Sequence, residues 1–126
     1  MATVIFHDDF RPEFRDLAEE VQDELLAQLR VVEQFGSQAG RPRVDTLNGS
    51  RYRNMKELRF SADGGEWRFA FAFDPERNAY VLCGGDKSGE GEAKFYRRLI
   101  AKADQRFSAH LKALETKGKT EKKKKR

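Results

Sequence analysis

A single cysteine among 126 residues leaves no partner for an intramolecular disulfide and no thiolate set for a metal cluster. That residue, Cys83, lies inside an apolar run and reads as a small core side chain rather than a nucleophile. The two histidines, His7 and His110, stand far apart in sequence with no ligand pattern around either, so no metal site is expected. No apolar run reaches the length of a membrane span, and the mean hydropathy is −0.83. Met1 to Phe10 has no basic region and no apolar stretch, and it contains His7, Asp8 and Asp9. A secretory signal is therefore not expected, and the cytoplasm is the default compartment. The glycine-rich stretch Gly84-Gly85-Asp86-Lys87-Ser88-Gly89 lacks the spacing of a phosphate-binding P-loop, which removes the main nucleotide-binding signal.

A net excess of positive charge is lacking except at one end. The chain carries 25 Lys and Arg against 21 Asp and Glu, for a net +4. From Lys117 onward, however, seven basic residues face Glu121 alone, which leaves 18 basic and 20 acidic residues in the first 116. Basic function in the body must come from local clustering, not from a globally positive field. The length suits one domain, assigned to residues 1–116. Residues 117–126 are expected to be a disordered basic tail, because a block of like charges buries nothing.

Aromatic and alternating residues are what the chain does have. From Met55 to Phe73 the sequence alternates through two strands: Leu58 and Phe60 share a face on the first, and Trp67, Phe69, Phe71 and Phe73 share one on the second. Asp63-Gly64-Gly65 supplies the tight turn of a hairpin. Before it, Thr3 to Phe6 reads as an edge strand, and from Pro12 to about Phe35 apolar residues recur at helical spacing (Phe14, Leu17, Val21, Leu25, Leu29, Val32), with Gly36 as the C-terminal cap. Ser37 to Asn54 is a basic loop with an extended piece around Val44 to Leu47. Ala79 to Gly85 is an unbroken apolar run, the mark of a strand covered on both sides. A helix from about Glu90 to Leu114, ended by Gly118, is expected to cover part of the hairpin's aromatic face. The whole is an α+β fold.

Asp8 and Asp9 precede a helix, where an acidic residue is most simply a cap or a dipole partner. The residues left for chemistry are Arg59 and Arg68 on the polar face of the hairpin, Lys56 at its start and Lys87 beyond the next strand. Arginines there serve either as solvated residues paired with Glu57 and Glu66 or as phosphate ligands. Fixed guanidinium groups stabilise the extra negative charge of a phosphodiester transition state, and lysine or carboxylate groups assist proton transfer. Such a reaction needs neither metal nor cofactor. Arg51 and Arg53, in the basic loop, are solvated residues or RNA-contacting ones.

The order of these motifs carries more than any one of them. Glu57-Leu58-Arg59-Phe60, a glycine turn, Trp67-Arg68-Phe69-Ala70-Phe71, then Tyr80-Val81-Leu82, Gly84-Gly85-Asp86-Lys87 and a helix with Ala103 and Arg106 resemble the RelE/ParE toxin superfamily, in its HigB-like, phage-derived branch. The resemblance covers roughly residues 40–106. It implies a small RelE-like fold, a mostly antiparallel sheet packed with an N-terminal and a C-terminal helix. It further implies the toxin of a type II toxin–antitoxin pair: a metal-independent, ribosome-dependent mRNA endoribonuclease held by a cognate antitoxin of helix-turn-helix type. Carried over by position, Arg59, Arg68 and Lys87 match basic residues of the family's site, and Tyr96 and Lys56 are candidates for the unassigned proton transfers. Relatives often carry an aromatic residue where Gly85 stands and a basic one where Ser88 stands. The same fold also serves ParE-like gyrase inhibitors and non-catalytic nucleic-acid- or partner-binding relatives.

Overall fold

The computed structural model describes residues 1–124, with side chains described as far as residue 118. The elements are β1 (Val4–Phe6), α1 (Phe10–Arg15), α2 (Glu19–Phe35), a 3-10 turn at 36–38, β2 (Val44–Thr46), β3 (Met55–Ala62), β4 (Gly65–Phe73), β5 (Ala79–Asp86) and α3 (Glu92–Lys124). The strands form one sheet in the order β1-β5-β4-β3-β2. Only the β1–β5 pairing is parallel, so the expected mostly antiparallel α+β sheet is found. The hairpin closes through Asp63 and Gly64, both at positive φ (50° and 71°), the backbone shape that matches the twist of the flanking strands.

Strand alternation gives the sheet two apolar faces and hence two cores. On one face Leu58, Phe60, Phe69, Phe71 and Val81 pack against Val21, Leu25, Leu29 and Val32 of α2 and Phe10 of α1. On the other, Met55, Ala70, Ala72, Leu82 and Cys83 pack against Phe95, Leu99, Ala103 and Phe107 of α3. The aromatic face is thus covered by α1 and α2, not by the C-terminal helix as the sequence suggested. The reason lies in side-chain size: the alanines on β4 allow α3 close to the opposite face, while the aromatic rows need the wider surface of two helices. Gly84 shows how closely those rows pack, since a Cβ there would fall 2.0 Å from the Phe69 ring.

The expected single helix from Pro12 to Phe35 is two. Ala18 is extended (ψ 146°), and the Gln22 side-chain amide donates to the carbonyls of Phe14 (2.8 Å) and Arg15 (3.3 Å), acceptors that an unbroken helix would satisfy from its own backbone. The break lets Phe6, Phe10 and Phe14 form an aromatic cluster, with Phe6 centred 5.1 Å from each of the other two rings. Gly36 does cap α2, at φ 57° with its amide on the Val32 carbonyl. Asp9 stands at the N-cap position of α1 but its side chain makes no cap bond; its backbone amide donates to His7 Nδ1 (3.0 Å). The C-terminal helix does not stop before Gly118. Helical backbone continues to Lys124 through most of the segment expected to be a disordered tail, and residues 125 and 126 lie outside the described part.

Candidate active site

The register of β3, β4 and β5 builds the site. Arg59 stands directly opposite Arg68, and Arg68 opposite Gly85, so one row across three strands reads Arg59, Arg68, Gly85. The next row toward the hairpin turn reads Ser61, Glu66 and Lys87, tied by the Ser61–Glu66 hydroxyl-to-carboxylate bond and by the Lys87 amide on the Glu66 carbonyl (2.8 Å). The row on the other side begins with Asp45 on β2, opposite Glu57 on β3. Alternation puts all of these on the sheet face that α3 covers only in part.

Glu57 is the hub. It is 5% exposed, and its Oε1 lies 3.7 Å from Arg59 Nε and 3.8 Å from Arg68 Nε. The same oxygen accepts a hydrogen bond from the Tyr96 hydroxyl on α3 at 2.7 Å. Arg59 also donates Nη2 to Asp45 at 3.0 Å, and Arg68 donates Nη1 to the Trp67 carbonyl at 2.9 Å. The two Nε groups are buried without a hydrogen-bond partner, held near Glu57 by charge at a distance too long for a hydrogen bond. Burial, with the bond to Glu57, pushes the Tyr96 phenol up to about 12. At neutral pH it is a donor, not a base. Lys87, 24% exposed, pairs with Glu92 at the start of α3 (3.0 Å).

The family follows from a wider comparison. The sequence profile of the family described as Phage derived protein Gp49-like matches residues 12–108. The chain belongs to this Gp49-like family. It is 43% identical over 111 residues, 86% of its length, to HigB2 of Mycobacterium tuberculosis, and 47% identical over 76 residues, 60% of its length, to HigB3 of the same organism, both named as toxins. The chain spans 55% and 64% of the lengths of these two relatives. Among solved structures it resembles a double arginine-to-alanine variant of the E. coli toxin RelE in the free state, with a TM-score of 0.55 and 20% identity, covering 81% of this chain and 97% of the other. That likeness shows a shared fold. The HigB-like, phage-derived resemblance read from the sequence is thereby borne out, and with it the RelE-like fold.

In the Gp49-like chain the structure gathers Arg59, Arg68, Lys87 and Tyr96 on one face and leaves the other candidates apart. Lys56 alternates onto the face of Leu58 and Phe60 and reaches Thr46 (3.5 Å). Arg51 and Arg53 sit at the far end of β3, in a loop pinned to α3 by Ser50 and the Arg51 amide on Asp104 (2.5 and 3.0 Å), with the Arg51 guanidinium over the Tyr52 ring. Sequence reasoning missed Asp45 and the hub role of Glu57. Glu57 was legible as a neighbour of Arg59 on the same strand face, but Asp45 reaches the site only through the β2–β3 pairing. Arg106 forms a two-pronged pair with Glu13 (2.9 and 2.6 Å) and caps the Leu82 carbonyl (2.7 Å), which joins α3 to α1 and β5. Cys83 is core, its thiol pushed up to about 12 by burial. His110 bonds Asp74 (2.8 Å) and stacks on Tyr80. Among the described residues no cluster of three or more His, Cys, Asp or Glu could hold a metal ion, and no helix is long and apolar enough to cross a membrane.

Proposed function

We propose that the chain is the toxin of a type II toxin–antitoxin pair and that it cleaves mRNA at the ribosome without a metal ion. The observation that carries this reading is the cross-strand pair Arg59–Arg68, fixed by a buried carboxylate with Lys87 one row away. The toxin names of the two Mycobacterium relatives support it. Attack of a ribose 2′-oxygen on the neighbouring phosphorus, its proton passing to water, would break the bond from phosphorus to the 5′-oxygen and yield a 2′,3′-cyclic phosphate and a free 5′-hydroxyl. Negative charge gathers on the nonbridging oxygens as the bond forms, and the guanidinium nitrogens of Arg68 and Arg59 that Trp67 and Asp45 do not engage meet it. Glu57 positions both guanidinium groups by drawing their Nε edges inward. Lys87 supplies a proton or a charge-assisted bond at the departing 5′-oxygen.

Its partners in this reading are the ribosome with its mRNA and a cognate antitoxin, a small helix-turn-helix protein that covers the basic face. Expression of the chain alone should arrest growth and leave new mRNA 5′ ends within codons, and Arg68→Ala should abolish both. Growth arrest with intact mRNA and altered DNA supercoiling would overturn the reading in favour of a gyrase inhibitor. Identical 5′ ends from wild type and Arg68→Ala would remove Arg68 from the chemistry.

A further inference from the structure

β1 pairs with β5 only from Ala79 to Val81, and beyond it Arg106 caps the Leu82 carbonyl. From Cys83 to Asp86 the outer edge of β5 faces no strand among the described residues. Between this edge and α3 runs a groove of about 610 Å³, walled by Phe95 and Leu99 and flanked by Arg98 and Lys102. Both cations are exposed. Arg98 spends one nitrogen on Glu90 (2.8 Å) and keeps the rest of a guanidinium that is 63% exposed.

The groove adjoins the arginine row at Gly85. Gly85 is the register partner of Arg68 and also lines the groove. With no side chain at that position, no β5 side chain stands between Arg68 and the groove, and the Phe95 ring of α3 lies over Gly85, 3.2 Å from where a Cβ would stand. Strands lie about 4.8 Å apart, so β5 is one spacing from the Arg68 strand and a chain lying along its outer edge is roughly 10 Å from it, within reach of a neighbouring nucleotide.

We propose that this groove is a second subsite for the same RNA strand, holding a nucleotide that flanks the scissile phosphate. Arg98 and Lys102 take its phosphate, while its base lies against the Phe95–Leu99 wall and the bare main chain of Gly84 to Asp86. An edge of unpaired backbone donors and acceptors beside an apolar wall suits a base, which presents both hydrogen-bonding edges and a flat face. Two exposed cations in line with a phosphate-binding row favour a nucleic acid strand over an acidic peptide, which would need no contact with Arg68. The proposal rests on the reading of the chain as an RNA-cleaving protein.

The test is an NMR titration of the full chain with uncleavable 2′-O-methyl RNAs of two and six nucleotides at one fixed salt concentration. The longer RNA should bind about tenfold tighter through its added phosphate contacts, and it should shift the amide signals of Gly84 to Asp86. Arg98→Glu with Lys102→Glu should remove that gain and leave the dinucleotide unaffected; Arg98→Gln with Lys102→Gln serves as the milder pair. Charge reversal at Arg15 and Arg30, on α1 and α2, should change neither. The subsite is overturned if the gain survives in the groove variants, or if the α1–α2 control loses it equally. It is also overturned if a Glu-rich peptide shifts Gly84 to Asp86 while RNA does not. If RNA of both lengths binds through Arg68 but without a length gain, only the subsite fails. If neither length binds the wild type, the subsite fails, whereas the cleavage reading is overturned separately, by growth arrest with intact mRNA.

Discussion

Arg68 is 13% exposed at its side chain and faces Arg59 across the hairpin with a shared carboxylate between them. Two guanidinium groups so close would repel without Glu57, and Glu57 would be an unpaired buried charge without them. Arg68→Ala should lower the cleavage rate by about 100-fold or more, the usual cost of removing a preorganised donor to a developing anion. Glu57→Gln keeps the shape and an acceptor for Tyr96 but loses the charge, so substrate affinity and turnover should both fall while the fold remains, as checked by separate kcat and KM measurements. Tyr96→Phe removes one donor from a buried carboxylate and should cost about 1 kcal/mol of stability in urea unfolding. Acid sensitivity belongs to the other side of the molecule. The bond from Arg106 holds Glu13 below the usual carboxylate range, so its stabilisation is present above about 4.5 and fades as pH falls through its lower folded value. Burial lowers His7. Folding therefore favours its neutral form and loses stability below about 6.5, where the unfolded chain takes up the proton. Glu13→Gln should flatten the lower part of the curve of Tm against pH and leave the part near 6.5 in place.

At the level of elements, β5 carries two adjacent glycines with opposite roles. A Cβ on Gly84 would strike the Phe69 ring, whereas one on Gly85 meets only Phe95 at 3.2 Å on the α3 face. Gly84→Ala should destabilise the chain by about 1–3 kcal/mol, the range for overpacking a closed core, and Gly85→Ala by clearly less; thermal unfolding of both variants checks the contrast. The hairpin was legible because period-2 alternation and an Asp-Gly turn are local signals, and the strands fell where they were expected. The break between α1 and α2 was not. Leu17 and Val21 keep the helical spacing across it, and the side-chain amide of Gln22, reaching back to the Phe14 and Arg15 carbonyls, bridges it in a way no spacing rule reveals.

For the molecule as a whole, charge is divided between a near-neutral body and a basic C-terminal segment. Among the described residues, the α3 side chains packed in this core run as far as Phe107 and the partly buried Leu111, and the helical backbone continues to Lys124. Removal of residues 117–126 should therefore leave Tm unchanged and weaken RNA binding at low salt, with a shallower dependence of affinity on salt concentration. Unchanged binding would take the segment out of the mechanism.

Alternation, turn residues and helical spacing determined the elements by themselves, because each is a short-range consequence of backbone geometry and side-chain type. They also brought Arg59 and Arg68 onto one strand face, since a hairpin of known turn has a known register. Which helix covers which face was decided only in three dimensions, by the fit of small alanines to α3 and of aromatic rings to α1 and α2. Asp45, Tyr96 and the groove beside Gly85 belong to that same level. They meet the arginine row through strand pairing and helix packing between segments distant in the chain, and a one-dimensional pattern holds no record of those contacts.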